Sequence, residues 1–193
     1  MSLIGHNGGP TLAPGRSWRK HCWQRARADL LPHLPLEVVR MRVRRAAEIG
    51  LDYKTYAGFR ASTGHDIVAL LFSTNALRML RPGDILPEPR AVKLRATRDL
   101  AHLVAAHPPL APLAVRAVLS DAGIALAGCH PAPSVAHSWA EIRSGVRALL
   151  AERRLPGDRV LLIGDTCFEQ EWTGAGGLAG YLTAPRYFPE AIA

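Results

Sequence analysis

The chain has 193 residues, 48% hydrophobic and 21% charged, with 17 glycines and 15 prolines. That is the make-up of one globular domain or a small domain with an appendage, built from short elements. No run approaches the roughly 18 consecutive apolar residues that a membrane helix needs, so membrane-spanning functions are excluded.

The formal net charge of +8 is unevenly placed. Residues 1–65 hold 11 Lys/Arg against 4 Asp/Glu, and residues 66–193 hold 13 against 12. Basicity confined to the N-terminal third fits either an anionic partner or a solvated, arginine-rich helical face. Cys22, Cys129 and Cys167 lie far apart and form no CxxC pair. With no basic-then-apolar leader at the N-terminus, they predict reduced thiols in the cytoplasm and no structural zinc.

Residues 1–16 are rich in glycine and proline and read as a flexible arm. Residues 17–64 read as a basic helical region. Ser17 caps a predicted helix to about Leu31 carrying Arg19, Lys20, Arg25 and Arg27. A second helix follows, with Leu36, Val39, Val43, Ala46 and Ala47 as its apolar stripe and Arg40, Arg42, Arg44 and Arg45 flanking it. A short third helix holds Tyr53, Lys54, Tyr56, Phe59 and Arg60 and closes at Gly64.

Residues 65–193 change period. "DIVALLFSTN" is a continuous apolar run ending in Ser73-Thr74-Asn75, the pattern of a buried parallel strand. Residues 81–96 hold three prolines and read as a loop, with helices expected near 97–106 and 112–122. A second strand starts near Ile124 and ends at Cys129-His130. Ser138 and Glu141 form a capping box opening a helix with Ile142, Val146, Leu149 and Leu150 inward. "RVLLIGD" is a third strand, residues 168–176 a short helix, and "GYLTA" a fourth strand. Alternating strands and helices predict an α/β fold, a doubly wound parallel sheet of about four strands behind an α-helical N-terminal region.

Ligands of such sheets bind beyond the C-terminal strand ends. That rule selects Ser73, Thr74 and Asn75, then Cys129 and His130, then Asp165, Thr166 and Cys167. Ser73, Thr74, Asn75 and Thr166 are candidate ligand contacts, and Asp165 and His130 candidate catalytic groups. Asp165 reads equally as a helix N-cap. If their strands are neighbours, Cys129, His130, Asp165 and Cys167 also offer a mixed metal site.

The stretch 72–183 resembles the C-terminal half of the haloacid-dehalogenase-like hydrolase fold. The resemblance rests on "LLFSTN", "VLLIGDTCFE" and "TGAGGLAGYLT". It implies that Thr74 and Asn75 contact a phosphate and that Asp165 and Glu169 help hold magnesium, which suits two carboxylates one helical turn apart. The chain contains no DxD motif to supply the family's aspartate nucleophile, and no lysine follows Lys93. The resemblance therefore implies a degenerate relative that has lost phosphoryl transfer, or a convergent Rossmann-like domain. Residues 36–64 resemble a helix-turn-helix, with Lys54 and Arg60 placed to meet nucleic acid.

Two functions follow from these readings. The first is a cytoplasmic, non-catalytic regulatory or partner-binding protein whose basic helices meet nucleic acid or an acidic protein. The alternative is a metal-dependent phosphohydrolase, or another small-molecule enzyme, acting at the strand edge around Asp165, with magnesium as its cofactor.

Overall fold

Among the described residues, apolar runs flanked by turn residues form five strands in one all-parallel sheet. The computed structural model describes residues 34–189. The arm expected over 1–16 and the helix expected over 17–31, with Arg19, Lys20, Arg25 and Arg27, lie outside the described residues. The chain divides into two compact units, Met1–Val39 and Arg40–Ala193, and the sheet belongs wholly to the second.

In chain order the helices α1 (Leu36–Glu48) and α2 (Tyr53–Thr63) precede β1 (Ala69–Ser73). Then come α3 (Glu88–Ala96), β2 (Ala101–Ala106), α4 (Pro112–Asp121) and β3 (Gly128–Pro131). The chain closes with α5 (Trp139–Ala151), β4 (Val160–Gly164), α6 (Cys167–Gly176), β5 (Gly180–Thr183) and the single turn α7 (Ala184–Tyr187). Among the described residues no helix is long and apolar enough to cross a membrane.

Two departures from expectation concern the middle of the chain. A helix was expected near 97–106, yet residues 101–106 are strand β2, so the sheet has five strands and not four. The segment AHLVAA has the alanine content of a helix, but it lies between β1 and β3 and pairs with both. Tertiary pairing overrides local propensity there. Conversely, the proline-rich loop expected over 81–96 contains α3. Its prolines sit at the N-cap and in the first turn, where a missing N–H costs nothing.

The residues of β1 alternate between two cores, as period-2 geometry requires. Leu70 and Phe72 join one core with Val104, Leu161 and Ile163, with Ala46, Tyr56, Leu94, Leu119 and Tyr187 from helices, and with Ile49 just after α1. Ala69 and Leu71 join the other, with Leu103, Val160, Leu162, Ile142, Val146 and Trp172. Helices thus cover both faces. Of the stripe expected on α1, Ala46 is buried whereas Leu36 and Val43 are exposed.

Strand order fixes where the chain reverses. From β1 it winds outward through β2 to β3, then crosses back to lay β4 on the other side of β1. The connecting helices change face at that point, since α4 contributes to the first core and α5 to the second. Right-handed crossovers require this change when direction reverses. The crevice beyond the ends of β1 and β4 is therefore the topological switch point.

Candidate functional site at the β1 and β4 strand ends

Strand β1 delivers Ser73, Thr74 and Asn75 to the switch point, and β4 delivers Gly164, Asp165 and Thr166. Their centre is Glu169, in the first turn of α6 and fully buried. Its Oε1 accepts from Asn75 Nδ2 at 3.0 Å and lies 2.8 Å from His107 Nε2. Its Oε2 accepts from the backbone N–H of Asp165 at 2.6 Å and of Thr166 at 3.0 Å. Thr166 Oγ1 accepts in return from the Glu169 N–H at 3.2 Å, completing a capping box. Thr166, not Asp165, is the N-cap.

Burial pushes the Glu169 carboxyl upward. Hydrogen bonds from His107, the Asp165 N–H, Ser73 and the Thr166 N–H outweigh it and hold the group down at about 2. The carboxylate is then ionised at neutral pH, and His107 Nε2 carries the proton of their shared bond. Gly164 completes the arrangement. A Cβ there would stand 2.8 Å from Glu169 Oε2 and 2.6 Å from Tyr181 Cε2. The Gly-Asp pair is thus a place where a buried carboxylate and a ring come down onto the strand end.

Asp165 faces outward from this network. It is part-buried, and its Oδ2 lies 3.5 Å from Arg78 Nη1. Ser73 Oγ accepts from the Ala76 N–H at 3.1 Å, and Thr74 Oγ1 from the His107 N–H at 3.1 Å. Both hydroxyls are buried and tie down the turn after β1.

The magnesium implied by the resemblance does not fit these donors. Magnesium takes oxygen ligands and keeps several waters. The Glu169 oxygens are taken up by N–H donors and the Ser73 hydroxyl, and a cation on Asp165 would face the Arg78 guanidinium. No three His, Cys, Asp or Glu side chains gather into a metal-holding group among the described residues.

His130 stands apart. Strands β2 and β1 lie between β3 and β4, so at about 4.8 Å per strand His130 is roughly 14 Å from the end of β4. Its Nε2 lies 3.1 Å from Glu152 Oε2, and Glu152 also meets Arg116 at 3.5 Å. The expected convergence of His130 with Asp165, and the mixed site of Cys129, His130, Asp165 and Cys167, are therefore not formed. Cys129 is buried and its thiol is pushed up to about 11 by that burial. Cys167 is exposed at the start of α6.

No family model, curated protein or solved structure matches the chain.

His107 and Trp172 are the site residues that sequence reasoning missed. His107 follows β2 directly, so recognising that strand would have marked it by the same C-terminal rule. Trp172 is fully buried beneath it, with ring centroids 5.5 Å apart and planes tilted by 31°. The indole N–H has no hydrogen-bond partner among the described residues. Replacing Trp172 by phenylalanine therefore loses ring area but no hydrogen bond, and a loss of about 1 kcal/mol in urea unfolding is expected.

Of the residues assigned to an anionic partner, Arg40, Arg44 and Arg45 lie on α1 and Lys54 and Arg60 on α2. Arg44 is 84% exposed and pairs with Glu48 at 3.1 Å along the helix. Lys54 is exposed. Arg60 lies 3.9 Å from Asp66, on the edge of ion pairing. Arg45 is 15% exposed and engaged within the fold.

Proposed function

We propose that the chain is a non-catalytic partner-binding or regulatory protein of the cytoplasm, its α/β domain a degenerate relative of the haloacid-dehalogenase-like hydrolases. Its basic helical region contacts an anionic macromolecule, nucleic acid or an acidic protein. The observation that carries this reading is the state of Glu169. A buried carboxylate that accepts from Asn75, His107, Ser73 and the N–H groups of Asp165 and Thr166 holds a strand, a loop and a helix together, and these bonds compete with any cation or proton transfer. Asp165, neutralised by Arg78, is poorly placed as a nucleophile or base. Cys129 and Cys167 as free thiols fit a reducing compartment. The charge concentrated in residues 1–65 supplies the partner's counterpart.

Two measurements test the reading. With para-nitrophenyl phosphate and magnesium, the protein and its Asp165→Asn variant should both stay at background. Turnover by the parent that Asp165→Asn abolishes would establish the phosphohydrolase alternative. Binding to a short random-sequence DNA duplex should weaken steeply with salt. Joint replacement of Arg44 and Lys54 by alanine should lower the slope of log K against log salt by about 2. A slope near zero for the parent removes nucleic acid and leaves an acidic protein.

A further inference from the structure

Helices α1 and α2, with Asp66 ahead of β1, line a cleft of about 380 Å³ whose residues all belong to the second unit. That volume falls within the range of small-molecule sites. Four arginines face two carboxylates in it: Arg42, Arg44 and Arg45 from α1 and Arg60 from α2, against Glu48 and Asp66. A guanidinium does not lose its proton in a protein, so this imbalance cannot be relieved by titration.

Both carboxylates are already engaged. Glu48 meets Arg44 Nε at 3.1 Å and Arg45 Nη1 at 3.6 Å. Asp66 Oδ2 accepts from Arg45 Nε at 3.1 Å. Its Oδ1 accepts from the Tyr56 hydroxyl at 2.8 Å and the Ile67 N–H at 2.9 Å. Arg60 stands beside the Tyr56 hydroxyl and comes only to 3.9 Å from that oxygen, past hydrogen-bond reach, although its side chain is 27% exposed. Arg42 pairs with neither carboxylate. Its Nε is buried and has no hydrogen-bond partner among the described residues.

Four fixed charges against two leave a surplus of two, and the distances place it on Arg42 and Arg60. A buried donor without an acceptor is unfavourable and calls for a water or an ion. A water would satisfy the N–H and leave the charge. A single carboxylate would balance one guanidinium only. A phosphate with at most one ester link carries about 1.5 to 2 negative charges at neutral pH, and guanidinium forks grip its oxygens through paired hydrogen bonds. We propose that the cleft binds such a phosphate dianion, with Arg42 and Arg60 as its ligands. This goes beyond the proposed function, because a phosphate dianion needs no macromolecular partner. Failure of the duplex titration leaves the assignment standing, and failure of the assignment leaves the duplex result intact.

The test is a calorimetric titration of the full chain at neutral pH with phenyl phosphate, inorganic phosphate, diphenyl phosphate and phenol. Saturable binding of phenyl phosphate is expected. Diphenyl phosphate, with one charge, and phenol, with none, should each bind about tenfold more weakly or worse. Inorganic phosphate binding as well as phenyl phosphate assigns the cleft to the free ion, and weaker binding assigns it to an ester. A 5′-phosphorylated oligonucleotide that binds more tightly than both phenyl phosphate and its own 5′-hydroxyl form assigns it to a strand end. Arg42→Gln should reduce phenyl phosphate affinity about tenfold. Met41→Glu should do the same by placing a third carboxylate in the cleft. Met41 lines the cleft, is 61% exposed and lies on α1, where glutamate is a good helix former, so this variant should fold. Arg143→Gln, on the exposed face of α5, should bind as the parent does. No saturable binding by the parent, diphenyl phosphate or phenol binding as well as phenyl phosphate, or folded Arg42→Gln and Met41→Glu variants that bind normally would each overturn the assignment.

Discussion

Glu169→Gln is expected to lower stability at pH 7 by about 3 kcal/mol, a fall in melting temperature of roughly 6–12 °C for a chain of this size. The substitution keeps shape and volume but replaces one acceptor oxygen by an NH₂ donor. In one orientation that NH₂ meets the N–H groups of Asp165 and Thr166, and in the other it meets Asn75 Nδ2 and His107 Nε2. In the first orientation two part-buried backbone donors face a donor, and each unsatisfied donor costs about 1–3 kcal/mol; in the second, the Asn75 amide must flip and His107 must change tautomer to accept, which breaks up the arrangement around them. The pH dependence checks the same assignment. The folded-state value near 2 lies below the ordinary carboxyl value. The stability it brings is therefore complete above about pH 4.5 and is lost as the pH falls from there through about 2. The gap between parent and variant, measured by urea unfolding, should shrink by about 2 kcal/mol between pH 7 and pH 3. An unchanged unfolding midpoint at pH 7 would show that the network is not held as described and that Glu169 is free to help hold a cation.

The parts of this network differ in how far the sequence announces them. The strands β1 and β4 were legible because both faces are buried, so their residues read as uninterrupted apolar runs. Thr166 and Glu169 have capping-box spacing, just as Ser138 and Glu141 do, yet the Gly-Asp before them drew the reading toward Asp165. The distinction needs the backbone, because only the fold shows which oxygen meets the α6 N–H groups. Strand β2 was hidden by alanine, which is a good helix former and only a fair strand former. Losing it concealed His107 and left β3 free to be imagined beside β4, which is how His130 came to be grouped with Asp165. Two parallel strands that are consecutive among the recognised ones need not be neighbours, and strand order has no local signature.

The arginines of α1 separate in the same way, and their separation carries the second large effect. Arg45→Ala is expected to destabilise the protein by about 2–3 kcal/mol, whereas Arg44→Ala should stay within about 0.5 kcal/mol of the parent. The two are adjacent in sequence and were assigned together to an anionic partner. In the fold, Arg45 Nε lies 3.1 Å from Asp66 Oδ2 and Nη1 3.6 Å from Glu48 Oε2. Its fork also donates to the carbonyls of Ile67 at 3.0 Å, Asp99 at 3.1 Å and Arg98 at 3.2 Å. One guanidinium therefore joins α1 to the segment entering β1 and to the turn entering β2. Alanine would leave those carbonyls and Asp66 to water, although Asp66 would keep the Tyr56 hydroxyl at 2.8 Å and the Ile67 N–H at 2.9 Å. Lysine should recover little, because a single ammonium cannot span two carboxylates and three carbonyls as a planar fork does. Among the described residues Arg44 pairs only with its half-buried helix neighbour Glu48, and such pairs contribute about 0.3–0.5 kcal/mol. Denaturant unfolding of Arg45→Ala, Arg45→Lys and Arg44→Ala decides the matter. If Arg45→Ala unfolds with the parent, Arg45 is released from its structural role and returns to the set of side chains open to an anionic partner. If it unfolds early while Arg44→Ala does not, any loss of partner affinity in Arg45→Ala reports a loosened scaffold, and Arg44 and Lys54 become the side chains through which the contact must be measured.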